Sequence, residues 1–201
     1  MSLADLLDPG PAPPEPVVTP ARVGGSAAWA DLVRAGAVDL LNERAGVPAG
    51  ALVTPAHRAL ALAPELPRRC VLAGRTAAWV LTGLHRGVLA PALPVEAGVE
   101  VAYPAGTHAP SPRAALTARQ APRLVRDTVR LAGVPVTTPA RTALDVACTV
   151  PHEEAVAVLV ALAHSGTDLV AAGRALELRG RVVGRPAARR ALAAAAAVLR
   201  G

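Results

Sequence analysis

The chain has 201 residues; 52% are hydrophobic but only 1% aromatic, and phenylalanine is missing, so alanine, valine and leucine must build the core. The formal net charge is +6, and all 21 basic residues are arginines. Because lysine is missing too, the sequence excludes a phosphate-binding loop with its lysine, a Schiff-base lysine and a nuclease site that needs a catalytic lysine.

The positive charge is concentrated near the C-terminus. Residues 171–201 contain seven arginines and one acidic residue, whereas residues 1–170 contain 14 of each kind. Clustered arginines are typical of surfaces that contact phosphate groups, but a solvated helix face has the same composition. Both interpretations stay open for the candidate nucleic-acid-binding residues, which are Arg179, Arg181, Arg185, Arg189 and Arg190.

Cysteine and histidine usage points to a protein without metal or cofactor. Cys70 and Cys148 are too few for a disulfide framework or a zinc site, and the five histidines lack metal-ligand spacing. No basic residue precedes Arg22, and the longest apolar runs are about half the ~20 residues that a bilayer requires. We expect a cytoplasmic protein that binds no membrane.

The N-terminal third of the chain begins with a proline-rich stretch. Proline lacks an amide donor and interrupts helices and sheets, so we expect residues 1–24 to form a disordered tail. The next signals predict a helix over 25–36 that ends at Gly36, and then two short strands over 38–47 that are joined by a turn. A Thr-Pro pair begins a second helix over 54–63, and small residues mark a third over 74–83.

The rest of the chain alternates between strand and helix signals. Residues 99–103 predict a strand, and residues 127–137 predict a hairpin in which Pro135 should occupy an edge or a bulge. Thr138 and Pro139 repeat the Thr-Pro helix start. Three further helices are predicted over 151–163, 168–178 and 186–199.

Arg141 and Asp145 are four residues apart on the helix that begins after Thr138, with the cation nearer the N-terminus, which opposes the helix dipole. We expect a bridge to another element, or a ligand phosphate, to hold Arg141 there. Cys148 lies on the apolar stripe of this helix and should be a buried, inert thiol. We expect Arg119, Arg123, Arg126 and Arg130 to be a scattered set of solvated side chains.

Two segments match a known pattern. The first, VLAGRTAAW over 71–79 with Gly83, resembles an S-x-x-S/T-A-A helix, and the second, over 133–147, is similar to G-x-P-V-T-S/T-P-x-R-T-L-x-D. Both patterns are typical of the AbiEi-type antitoxins of type IV toxin–antitoxin systems. The matching residues are Gly74, Arg75, Thr76, Ala77, Ala78, Trp79, Pro135, Thr138, Pro139, Arg141, Thr142 and Asp145.

The resemblance implies an N-terminal winged-helix domain that binds DNA and represses its own operon. It also implies a C-terminal domain that neutralises a nucleotidyltransferase-type toxin. Many actinobacterial proteins of this kind continue into an endonuclease domain related to very-short-patch-repair nucleases. We expect that domain, and nuclease activity, to be absent here.

These observations predict an α+β protein with helices packed around a small mixed or antiparallel sheet. Its expected parts are a tail over 1–24, a reduced winged-helix-like segment over 25–66, an antitoxin-like domain over 67–180 and a basic helix over 181–201. The expected function is that of a non-enzymatic antitoxin and transcriptional regulator, with DNA and a toxin as partners and no cofactor. The alternatives are a nucleic-acid-binding module using the C-terminal arginines, or a truncated relative of an antitoxin–endonuclease fusion.

Overall fold

The computed structural model describes residues 17–90, 92–93, 97–180 and 182–201. These residues form an α+β fold, as predicted. The helices are α1 (Ser26–Arg34), α2 (Pro55–Leu62), α3 (Gly74–Thr82), α4 (Pro139–Thr149), α5 (His152–His164), α6 (Leu169–Leu178) and α7 (Arg185–Val198). The strands are β1 (Val38–Asn42), β2 (Ala45–Pro48), β3 (Val71–Leu72), β4 (Leu84–His85), β5 (Val88–Leu89), β6 (Val99–Pro104), β7 (Leu116–Ala121), β8 (Thr128–Leu131) and β9 (Val134–Thr137).

The central sheet has five strands in the order β7-β6-β3-β9-β8. The short strand β3 lies in the middle, where Leu72 is paired with Val101 of antiparallel β6 and with Val136 of parallel β9. Strand β7 runs parallel to β6, and β8 and β9 form an antiparallel hairpin. Two separate antiparallel hairpins, β1–β2 and β4–β5, lie outside this sheet.

Two large apolar clusters hold the fold together. One is built from α4 to α7 and is rich in alanine, including Ala188, Ala191 and Ala195 of α7. The other joins the central sheet to α2 and α3, and its largest member, Trp79, is 0% exposed. The Trp79 indole Nε1 donates a hydrogen bond to the carbonyl of Ala90 at 3.0 Å. A core of small aliphatic residues around one aromatic ring agrees with the composition.

The Thr-Pro helix starts predicted from the sequence are confirmed. Thr54 Oγ1 accepts from the amide of His57 at 3.3 Å, and the Thr54 amide donates to His57 Nδ1 at 3.2 Å, which completes a capping box. Thr138 Oγ1 accepts from the amide of Arg141 at 3.2 Å at the start of α4. The predicted glycine stop is also confirmed: Gly83 follows the last residue of α3 and adopts the left-handed conformation that ends the helix.

The predicted N-terminal tail is too long. Residues 1–16 lie outside the described part of the chain, but residues 17–24 pack against the fold. Val17 is buried, and the backbone of Val18 exchanges hydrogen bonds with Gly46 at 2.8 and 3.0 Å. A short 3-10 turn over Pro20–Arg22 then leads into α1. The single bridge to Gly46 explains the error, because it depends on a distant partner rather than on local composition.

The expectation for Pro135 is wrong, because its strand is internal. Strand β9 lies between β8 and β3 in the sheet order. Its pairing with β3 is confined to Val136 opposite Leu72, so most of that side of β9 has no ladder. Proline is therefore tolerated beside a neighbour that is only two residues long.

Among the described residues, no single helix is long and apolar enough to cross a membrane. Helices α5 and α6 reach that length only when taken together, and the chain bends by 120° between them.

Candidate functional site

The two segments that match the antitoxin pattern pack against each other as α3 and α4. Ala77 and Ala143 are fully buried, and such small side chains let the helices approach closely. The pattern's threonines have hydrogen bonds that anchor each helix to a strand. Thr76 Oγ1 accepts from the amide of Glu100 at 2.8 Å, and the Thr142 hydroxyl is 2.7 Å from that of Thr137.

Arg75, at the start of α3, binds two carboxylates from different parts of the chain. Its Nε donates to Glu154 Oε1 of α5 at 2.8 Å, and its Nη1 donates to Glu100 Oε1 of β6 at 3.2 Å. The hydrogen bond to Glu154, followed by the bond to Glu100 and the charges of both acids, raises the pKa of Arg75 despite some burial. Arg75 therefore ties the sheet to the helical cluster.

Arg141 on α4 is 6% exposed and lies between two carboxylates. Its Nε donates to Asp145 Oδ1 at 3.0 Å, and its Nη1 donates to Asp127 Oδ2 at 2.7 Å and to the carbonyl of Pro122 at 3.3 Å. Burial lowers the pKa of Arg141, but the charges of Asp145 and Asp127 and their hydrogen bonds outweigh it and raise the pKa overall. The expected bridge to another element is confirmed.

Two further arginines extend this network. Arg179, just after α6, donates from Nη2 to Asp127 Oδ2 at 2.9 Å. Arg119 of β7 places its Nη2 3.3 Å from Asp145 Oδ2. Both of those atoms are buried and have no hydrogen-bond partner in the described structure, so their contact is an ion pair with poor hydrogen-bond geometry.

A cavity of about 390 Å³ opens beside this network, between β7, α4 and the end of α6. We call it the arginine cavity. Its polar wall includes Arg119, Arg123, Arg141, Arg179 and Asp145, and its apolar wall includes Leu144, Leu176 and Val182. Guanidinium groups are suited to bidentate binding of phosphate and carboxylate groups. The site can therefore hold an anion next to an apolar group.

The expectations for Arg119 and Cys148 need correction. Arg119 is partly buried in the ion-pair network and does not belong to a scattered solvated set, whereas Arg123, Arg126 and Arg130 are exposed, as expected. Arg123 also lines the arginine cavity. Cys148 is only partly buried and lies in the cavity wall. Burial and the charge of Asp145 raise the pKa of the Cys148 thiol, which keeps it protonated and weakly nucleophilic at neutral pH.

Most of the described candidate C-terminal arginines make hydrogen bonds within the molecule. Arg189 Nε donates to Glu177 Oε1 at 2.9 Å, and this hydrogen bond lowers the pKa of Glu177. Arg185 donates to the carbonyls of Arg179 and Gly180 at the end of α6. Arg190 is exposed, and Arg181 lies outside the described residues.

Sequence analysis identified the arginines of this site and Asp145, but it missed the acids Asp127 and Glu100. Asp127 and Glu100 occupy a turn and a strand with no spacing relation to their partners, Arg141 and Arg75. A pairing of this kind is set by the sheet topology and leaves no local signal. In the described part of the chain, no group of three or more His, Cys, Asp and Glu side chains could hold a metal ion.

Comparison with known proteins gives no assignment for the chain. No protein-family model matches the sequence, and a search of curated proteins finds no match. The resemblance to AbiEi-type antitoxins therefore stays a prediction, which depends on the two segments that form α3 and α4.

Proposed function

We propose that this chain is a non-enzymatic antitoxin and transcriptional regulator of the AbiEi type. The observation that carries the proposal is the meeting of the two matching segments, residues 71–83 and 133–147, in one packed unit. A chance match to two short patterns would not require the matched residues to lie side by side. Here the polar residues of both patterns are hydrogen-bonded, and Thr76, Arg141, Thr142 and Asp145 are also buried.

The charged residues of both patterns have structural partners. Arg75 binds Glu100 and Glu154, while Arg141 binds Asp127 and Asp145. Each of these carboxylates is already bound by at least one guanidinium, so the network resembles a scaffold more than an open set of general bases. This supports a function in binding rather than in catalysis.

The N-terminal region supports the regulatory half of the proposal. Helix α1 is followed directly by the β1–β2 hairpin, and Val18 adds a one-residue bridge to Gly46 of that hairpin. A helix with an adjoining hairpin corresponds to the end of a winged-helix domain that carries the wing. Arg44 lies exposed at the hairpin tip, where a wing contacts the DNA backbone.

Growth rescue tests the antitoxin function. The chain should restore the growth of bacteria that express a nucleotidyltransferase-type toxin encoded beside its own gene, whereas an empty vector should not. Asp145→Asn, which breaks the buried network, should lose rescue, and Asp31→Asn on the exposed face of α1 should keep it. Failure of the unaltered chain to rescue growth, at a verified expression level, would reject the antitoxin function.

A promoter reporter tests the regulatory function separately. The chain should repress the promoter of its own gene, and Arg44→Glu at the hairpin tip should weaken that repression. Arg174→Glu, an equal charge change at an exposed position of α6, is the matched control and should leave repression intact. Equal effects of the two variants, or no repression by the unaltered chain, would argue against a winged-helix reader.

A further inference from the structure

We infer that the arginine cavity binds a small organic phosphate monoester of the nucleoside monophosphate class. The binding function of this cavity does not depend on the antitoxin proposal. The inference rests on the charge of the cavity, on two guanidinium groups with donors to spare, and on an apolar wall of suitable size.

The charge balance favours a dianion. Four arginines surround the cavity, namely Arg119, Arg123, Arg141 and Arg179, and the carboxylates of Asp127 and Asp145 compensate two of them. The site therefore has two positive charges in excess. A phosphate monoester carries about −1.5 to −2 at pH 7, which matches that excess more closely than a single carboxylate does.

Two guanidinium groups have donors left for a ligand. Arg119 Nη2 is buried but has no hydrogen bond in the described structure, because its contact with Asp145 Oδ2 is poorly aligned. Nη2 itself is shielded from solvent, but the side chain as a whole is 34% exposed, so the remaining donors of Arg119 are the ones that would bind a ligand oxygen. Arg123 is exposed, makes no ion pair within 4.0 Å among the described residues, and is one of the residues that line the cavity.

The backbone of Arg123 adds an independent observation. Its φ is +59°, a left-handed conformation that suits glycine and costs other residues about 1 kcal/mol or more. Strained residues of this kind are found preferentially at binding sites, where the side chain is needed despite the strain. The turn thus keeps an arginine beside the cavity at a position where glycine would suit the backbone better.

The apolar wall indicates that the ligand is larger than a phosphate ion. Leu144, Leu176 and Val182 face the cavity together with the partly buried Cys148, and Val183 at the rim is 91% exposed. The volume of about 390 Å³ lies in the range of small-molecule sites and exceeds what a bare phosphate fills. A nucleoside monophosphate can place its base against the aliphatic residues and its phosphate against the arginines, and it would then contact both walls.

Calorimetry with the purified full chain tests this site directly. AMP or UMP should bind at least about tenfold more tightly than inorganic phosphate, and than adenosine or uridine, because only the monophosphates use both walls. No binding of either monophosphate would overturn the inference. Equal affinity for inorganic phosphate would overturn it as well, since the cavity would then hold an adventitious ion only.

Arg123→Gly separates binding from folding. This variant removes the guanidinium but relieves the strained φ, so it should lower AMP affinity by more than about tenfold without lowering the melting temperature. Arg126→Gly, in the same turn but outside the cavity wall, is the matched control and should keep the affinity. Unchanged affinity in Arg123→Gly would overturn the assignment of this residue and of the cavity.

A charge introduced at the rim provides a second pair of variants. Val183→Asp should weaken AMP binding by electrostatic repulsion, whereas Val170→Asp, at an exposed position on α6, should not. Both side chains are exposed, so neither change should prevent folding. Equal affinities in the two variants would place the bound phosphate away from the cavity.

Alkylation of Cys148 gives a readout at the site itself. Saturating AMP should slow its reaction with iodoacetamide several-fold, and Arg123→Gly should abolish that protection. Cys70 is buried elsewhere in the core and serves as the internal control. A rate that AMP does not change would contradict binding in this cavity.

Discussion

Gly74 lies so close to Glu100 that a Cβ atom at Gly74 would overlap the Glu100 carboxylate. This approach places Glu100 Oε2 within 3.1 Å of the amide of Arg75, while Oε1 accepts from the Arg75 guanidinium. Glycine also suits the backbone here, because φ of Gly74 is +56°. The absence of a side chain at Gly74 is thus a condition for the ion pair that joins the sheet to α3.

Gly74→Ala should destabilise the protein by about 2–4 kcal/mol, because it combines left-handed backbone strain with displacement of the Glu100 carboxylate. Urea unfolding measures this loss. Gly36→Ala is the matched control, since Gly36 has φ +67° but open space around its Cβ position. That variant should lose only about 1 kcal/mol from strain. Equal losses in both would show that the contact with Glu100 contributes nothing.

Asp145→Asn should cost about 3 kcal/mol of unfolding free energy, because it leaves the buried guanidinium of Arg141 without one of its two carboxylates. The control is Asp31→Asn, which breaks the ion pair with Arg34 on the surface of α1. Those two side chains are 73% and 74% exposed, so the control should lose less than about 1 kcal/mol. A small effect of Asp145→Asn would mean that the network is solvated and contributes little to stability.

His85 on β4 should make the stability depend on pH. It is 8% exposed, and its Nδ1 has no hydrogen-bond partner in the described structure. Burial lowers the pKa of His85 below 6.5, and the charge of Arg86 and then Arg75 acts in the same direction, against the opposing charges of Glu154 and Glu100.

Because the folded-state pKa of His85 lies below its unfolded-state value, the unfolded chain takes up the proton first as the pH falls. The stability linked to neutral His85 is therefore complete above the unfolded pKa and is lost as the pH falls through the folded pKa. We expect the unfolding free energy to decrease between about pH 7.5 and pH 5, and this decrease to be smaller in His85→Gln. His108→Gln, at an exposed position, should keep the original slope, and an equal slope in both variants would refute the role of His85.

The elements that the sequence predicts correctly carry their signals locally. Thr138 caps α4 and Gly83 ends α3 through atoms within a few residues, so residue type and position suffice. Strand β7 went unpredicted because its polar, largely exposed residues lack an alternating pattern, and only the parallel pairing with β6 defines it. The ion pair of Asp127 with Arg179 spans 52 residues and depends on how the sheet and α6 pack. Burial of such a charge pair is a property of the whole fold rather than of a segment.

Arg185 and Arg190 should differ sharply when each is replaced by alanine. Arg185 donates to the carbonyls of Arg179 and Gly180, which follow α6 and have few other partners. Arg185→Ala should therefore cost about 1–2 kcal/mol of unfolding free energy. Arg190 is exposed on α7, and Arg190→Ala should change stability by less than about 0.5 kcal/mol.

The same two variants test the alternative function, in which the C-terminal arginines bind nucleic acid. If they do, Arg190→Ala should weaken DNA binding and reduce the slope of log affinity against log salt by about one, with no loss of stability. Weaker binding in Arg185→Ala alone, in step with its lower stability, would instead trace the effect to unfolding near the end of α6. DNA binding that neither variant alters would remove Arg185 and Arg190 from the interface. That outcome would leave the hairpin tip at Arg44 as the surface to test for DNA contact.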